Sequence, residues 1–301
     1  MLDYHVHLWP HGTPAAPVTL DQLAAWCRRA AEVGVTEIAV TEHLFRFRQA
    51  DAALAGFWED DPSPALRSAM AAYWREHATA DLDDYVTAVQ AARAAGLPVL
   101  VGLEVDHYAG RMDDVAALLD GYPLDIVLGS VHWLGAWGFD HWTEPAFGAE
   151  WSSRSTGDVW AAYASAVEEL AASGLCDVLA HADLPKVAGR AGVPSDDLYD
   201  RLAEAVAAAG MAAEVSSAGW RKPVGEPYPA PGLLRRFRDR GVVVTTGSDA
   251  HHRGDVGRGV ADLAGRLAAA GYDEVTAFAG RARRPVPLPV ARGALAARPR
   301  R

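Results

Sequence analysis

The sequence predicts a closed parallel barrel of seven strands, an α/β fold in which strands alternate with helices. Seven short β-branched runs alternate with alanine-rich amphipathic stretches along most of the 301 residues. Six of those runs carry His, Asp or Glu at their C-terminal edge, where parallel barrels collect a site from several strands at once. An open doubly wound sheet would instead draw its site from two or three strands beside one switch point. The length suffices for one large domain of this kind.

In order, the strand runs are LDYHVH (2–7), TEIAVTEH (36–43), PVLVGLEVD (98–106), DIVLGSVH (125–132), CDVLAH (176–181), AAEVSS (212–217) and VVVTTGSD (242–249). Amphipathic helices are expected at 19–33, 81–95, 158–173, 195–209 and 254–270. Thr19 is placed to cap the first of them and Gly34 to end it. Two connections are long. Residues 44–80 carry Phe45, Phe47, Phe57, Trp58, Tyr73 and Trp74, and residues 133–157 carry Trp133, Trp137, Phe139, Trp142 and Trp151. Their aromatic content argues against disorder, so each is expected to be a packed helical insertion or a substrate lid on the barrel face that bears the site. The barrel domain is expected over 1–281, followed by a fraying Pro- and Arg-rich tail over 282–301.

Composition narrows the function. The net charge of −11, from 28 basic and 39 acidic residues, repels polyphosphate backbones, and no basic run precedes the last twenty residues. Nucleic acid is therefore not an expected partner. Neither a membrane span nor a signal peptide is evident, which points to a cytoplasmic protein. Cys27 and Cys176 are too far apart in sequence to form a paired-thiol motif and read as small buried hydrophobes.

The strand-end residues form the chemical signal. His5 and His7 lie two apart, so both project to one side of a strand, and Glu104 with Asp106 and Asp249 with His251 repeat that spacing. His43, His132 and His181 end three further strands, and His11 follows the first. One strand-end histidine is ordinarily a hydrogen-bonded residue and no more. Six such strand ends at one barrel mouth are different, because burying that many titratable groups is costly without a cation. Mixed His and carboxylate without thiolate suits zinc, manganese or iron. Nine candidate ligands (His5, His7, His11, His43, Glu104, His132, His181, Asp249 and His251) exceed what one ion takes. Two to three divalent transition-metal ions are expected.

The segments DYHVH, TEH, GLEVD, GSVH, LAHADLPK and GSDAH resemble, in order, the motifs of the PHP (polymerase and histidinol phosphatase) superfamily. GSVHWLGAWGFD, EVSSAGWRKP and GSDAHHRGDVG look most like its histidinol-phosphatase branch. The resemblance implies a distorted seven-stranded, TIM-like barrel of PHP type with a trinuclear site. By motif, His5 and His7 would share one metal with Glu104 and Asp249. Glu104 would bridge to a second held by His132 and His181, and His43, His251 and His11 would bind the third. Relatives place that last histidine farther downstream, whereas LWPHG puts His11 four residues past His7.

Chemistry and resemblance agree on metal-assisted hydrolysis of a phosphomonoester, since clustered divalent ions yield hydroxide near neutral pH and neutralise phosphate charge. The resemblance implies histidinol-phosphate phosphatase, a step of histidine biosynthesis. Another small phosphorylated metabolite, a cyclic phosphodiester or a nucleic-acid-associated module are the alternatives. Asp249 and His251 are the expected catalytic pair. Arg221 and Lys222 are expected to hold the substrate phosphate. A cationic substrate would favour acidic groups near the mouth, for which Asp106, Asp140 and Glu42 are the candidates. Asp106 is assigned to the substrate.

Overall fold

The computed structural model describes residues 1–289. Its strands and helices follow in chain order. β1 (Leu2–Val6), α1 (Leu20–Glu32) and β2 (Glu37–His43) come first. α2 (Arg48–Leu54) and α3 (Pro64–His77) then form the first insertion, ahead of α4 (Leu82–Ala94), β3 (Val99–Asp106), α5 (Met112–Leu119) and β4 (Ile126–Ser130). β5 (Trp133–Leu134), β6 (Trp137–Gly138) and α6 (Pro145–Glu150) form the second insertion. The chain continues through α7 (Thr156–Ala172), β7 (Val178–Leu179), α8 (Asp196–Ala208), β8 (Ala212–Ser216), α9 (Pro231–Asp239) and β9 (Val244–Gly247). It ends in α10 (Val260–Ala269), β10 (Glu274–Ala279) and β11 (Ala282–Pro287).

Seven parallel strands pair in the order β1-β2-β3-β4-β7-β8-β9. The ring closes where His7 N–H donates to the Ala250 carbonyl at 2.8 Å and Thr246 Oγ1 donates to the Leu2 carbonyl at 2.6 Å. All seven predicted strands are therefore present in one barrel. Its wall is tight: a Cβ on Gly102 would fall 2.8 Å from Thr41 Cγ2, and one on Gly129 would fall 2.9 Å from Cys176 Sγ. Cys176 thus packs as the small hydrophobe its neighbours implied, and both cysteines are buried and free.

Local chemistry sets the element ends. Thr19 Oγ1 accepts from Gln22 N–H at 3.1 Å and caps α1, as expected. β7 stops short of its predicted end because His181 adopts φ 26°, which swings its ring toward the barrel axis. The helix expected from 254 begins only at Val260, because Gly257 and Gly259 take φ 68° and 76° and break the turn ahead of it. α5 and α9 were not anticipated; α5 is short and α9 opens on Pro231, a residue well placed at a first helical turn.

The first insertion holds two helices and the second a small hairpin with one short helix. Trp58, Trp74, Trp133 and Trp137 are all buried in them. The tail needs correction, since residues 282–287 pair antiparallel with β10. That hairpin seals the barrel end opposite the strand-end histidines. Gly280 N–H donates to Asp125 Oδ1 at 2.9 Å, Arg281 Nε reaches Asp177 at 3.0 Å, and Phe278 packs edge-on against Tyr4. Of the tail's own arginines, Arg283 adds a bond from Nη2 to the Asp177 carbonyl at 3.1 Å. Residues 290–301, the remainder of that tail, lie outside the described residues.

Candidate metal centre

Parallel strands project their C-terminal residues into one mouth, and β3 sets its centre. Glu104 is fully buried. Its Oε2 lies 2.8 Å from His43 Nδ1, 3.3 Å from His5 Nε2 and 3.5 Å from His7 Nε2. Its Oε1 lies 2.9 Å from His181 Nε2 and 3.5 Å from His132 Nε2. Asp249 enters from the end of β9, with Oδ1 3.5 Å from His7 Nε2 and 3.4 Å from His251 Nδ1. Among the described residues, four sets of three potential ligand atoms converge within 4.8 Å: His5–His7–Asp249, His5–Glu104–His181, His7–His43–His251 and His43–Asp106–His132.

The residues fit divalent cations. His5 Nε2, both nitrogens of His7 and of His43, Glu104 Oε2 and His251 Nε2 are buried without a hydrogen-bond partner. Such atoms are expensive to bury unpaired, and cations among them would satisfy imidazole and carboxylate together. Burial, then the neighbouring His7, hold His43 and His251 well below the usual imidazole range, so both are neutral, the form that ligates. Burial alone would raise Glu104, yet the surrounding imidazoles, led by His5, hold it well below the usual carboxylate range.

Supporting groups fix these side chains. Glu42 accepts N–H donors from Leu8 and Trp9, the latter at 3.1 Å, and so anchors the loop after β1. The fully buried Asp3 carboxylate accepts Ser248 N–H, Ser248 Oγ–H and Gly257 N–H at 2.7, 2.6 and 2.7 Å. Arg221 Nη2 donates to the carbonyls of Ser248 and Asp249 at 2.6 and 3.2 Å. Between them Asp3 and Arg221 hold Asp249 at φ 51°, a conformation costly for a residue with a side chain. Glu214, absent from the sequence reading, pairs with His5 Nδ1 at 2.9 Å through Oε1 and accepts His181 N–H at 2.8 Å through Oε2.

Asp106 takes a different place from the one expected, and His11 stands beside the cluster without entering it. Asp106 does not reach the substrate space. It is fully buried with Oδ1 2.7 Å from His132 Nδ1, the geometry of a carboxylate that orients a ligating histidine. Burial pushes it up to about 6, and it in turn, against the effect of burial, raises His132 to about 10. His11 joins none of the four converging sets. Its ring stacks on His251 with centroids 4.2 Å apart and stands 5.4 Å from His43. Above the cluster opens a small cavity, whose wall includes Phe45, Tyr73, Asp140, Lys222, Tyr228 and Asp249. Arg221 lies behind this wall, with Nη1 buried and unpartnered.

Histidines and carboxylates from six strand ends, gathered at the C-terminal mouth of a parallel barrel, define a metal-site barrel. The chain belongs to the PHP domain family, whose model matches residues 3–218. It is 40% identical over 280 residues to a Deinococcus radiodurans protein named "Probable histidinol-phosphatase", covering 92% of this chain and 96% of that one. Among solved structures it is similar in fold to a histidinol phosphate phosphatase of Lactococcus lactis complexed with zinc, L-histidinol and phosphate. There the TM-score is 0.68 at 17% identity, covering 94% of this chain and 98% of the other. A second structure, from Listeria monocytogenes, also gives 0.68, at 20% identity over 87% of this chain and 99% of the other.

Proposed function

We propose that this protein is a metal-dependent phosphomonoesterase that hydrolyses L-histidinol phosphate to L-histidinol and phosphate, a cytoplasmic step of histidine biosynthesis. The observation that carries the chemistry is Glu104, one buried carboxylate within 3.5 Å of five imidazoles at the floor of the cavity. The near full-length relative supports the substrate.

His5, His7, His43, Glu104, His132, His181, Asp249 and His251 would hold two to three divalent ions, zinc, manganese or iron by donor chemistry. His11 stands at the rim as a further donor. Bound there, such ions supply Lewis acidity, neutralising phosphate charge and lowering the pKa of water. The chain does the rest. Lys222 on the cavity wall is the cation that faces the phosphate, while Arg221 behind the wall supports it by holding the Asp249 turn. Asp249 is held below the usual carboxylate range: burial would raise it, but His5, His7 and Lys222 more than offset that. It is therefore ionised at neutral pH, suited to orient the attacking water and accept its proton. His251, kept neutral, has one ring nitrogen free to ligate an ion.

Hydrolysis of a phosphomonoester panel by the purified protein tests the assignment, with L-histidinol phosphate expected to give the highest kcat/KM. Preference for a cyclic phosphodiester or for single-stranded nucleic acid would overturn it. Glu104→Gln should remove turnover together with most of the metal, as measured by elemental analysis. Full metal content in that variant would contradict the ligand set.

A further inference from the structure

We infer that Asp140 selects the substrate, by binding a cationic amine on the alcohol that leaves. This rests on the phosphatase reading above and names the residue that reads its substrate.

Among the described residues, two carboxylates line the cavity, Asp140 and Asp249. Asp249 is committed to His5, His7 and His251. Every other buried or nearby acid already has a partner. Glu42 takes two backbone N–H groups, Asp106 takes His132, and Asp183 takes Ala230 N–H and Lys186. Glu226 pairs with Lys186, and Asp255 with Arg258. Asp140 differs. Its Oδ1 is buried with no hydrogen-bond donor, and its Oδ2 lies 3.9 Å from His141 Nε2, too far for a hydrogen bond. A carboxylate oxygen withdrawn from water and left unpaired is costly, and that cost is recovered only when a donor arrives.

The geometry fixes what the donor is. Asp140 stands on the second insertion, where Trp151 Nε1 donates to the Phe139 carbonyl at 2.9 Å and His141 N–H to the Gly138 carbonyl at 3.1 Å. His141 in turn reaches Tyr73 Oη of the first insertion at 2.9 Å. Both insertions therefore brace the backbone on either side of Asp140, so its place on the wall is pre-set. Phe45 and Tyr73 add aromatic surface to the same wall. Phosphate must sit toward the histidine cluster and Lys222, which leaves Asp140 to the leaving group. A carboxylate beside aromatic rings fits an ammonium carried on a small organic alcohol.

The test is a ratio within matched substrate pairs: L-histidinol phosphate against its deamino analogue, and phosphoethanolamine against ethyl phosphate. Wild-type protein should favour the amine in each pair. Asp140→Asn keeps the shape and removes the charge, and should cut the amine-to-deamino ratio of kcat/KM about 10- to 100-fold, as expected for one charge-assisted hydrogen bond. Metal content measured alongside reports whether the cluster is intact. An unaltered ratio, whether both efficiencies fall together or neither moves, overturns the assignment. Failure of the wild type to hydrolyse L-histidinol phosphate would overturn the proposed function instead, and the phosphoethanolamine pair would still read Asp140.

Discussion

Gly247, the last residue of β9, has no room for a side chain. A Cβ there would fall 2.6 Å from His5 Cβ and well inside contact distance of Glu214 Oε1. Carbon atoms settle about 3.5–4.0 Å apart, so Gly247→Ala must push β1 or Glu214 back by about 1 Å. Overpacking of that size costs about 1–3 kcal/mol, or a melting temperature lower by between about 2 and 10 °C. The larger effect is local. Glu214 positions both His5 and the backbone of His181, so the displaced methyl moves two proposed ligands at once. A shift near 1 Å exceeds what metal–nitrogen bonds tolerate. Metal per chain after exhaustive dialysis should fall by at least half, measured beside thermal unfolding. Gly265→Ala is the control, since it lies exposed in α10 with no heavy atom within 4 Å and should gain up to about 1 kcal/mol in helix propensity. A Gly247→Ala protein with wild-type melting temperature and metal content would refute the reasoning.

Two other expectations concern the site. Asp106 raises His132 to about 10, so near neutral pH the metal-free histidine is protonated and ligation must expel that proton. Metal affinity should therefore climb with pH toward that value, and Asp106→Asn should release fewer protons per metal in calorimetry across two buffers, with affinity about 10- to 100-fold weaker. Unchanged proton release would exclude the pairing as its cause. Lys222 and Arg221 should separate: Lys222→Ala should lower kcat/KM about tenfold or more with metal retained, whereas Arg221→Ala, which also frees the Asp249 turn, should lose both. Full metal content in Arg221→Ala would show that Asp3 alone holds the turn.

The clustered histidines and carboxylates were legible because strand periodicity and strand ends are both written in one dimension. His5 and His7, or Asp249 and His251, betray a shared face by their spacing alone. Glu214 was not legible, although a lone acid inside the apolar run of β8 is itself a signal, since a charge buried there needs a partner. Asp106 shares the spacing of a ligand pair, and only the third dimension shows its carboxylate turned to His132. His11 sits on a short loop whose path no periodicity fixes. The hairpin of β10 and β11 was hidden because its arginines look solvated until Asp177 and the Asp125 carboxylate are seen waiting for it.

Asp3 and Ser248, the seam that closes the barrel, stand 245 positions apart in the chain. During synthesis His5 and His7 precede Asp249 and His251, the partners of His7 in two of the converging sets, by nearly the whole polypeptide. Contacts of such separation form late, after the loop between them has lost most of its freedom. A nascent or truncated chain that stops before β9 thus lacks Asp249, His251 and the closing seam, and keeps only the donors of the His5–Glu104–His181 and His43–Asp106–His132 sets on an unclosed sheet. Occupancy of the complete site would then report a finished fold, with the ion acting as a latch that rewards the last strand for arriving.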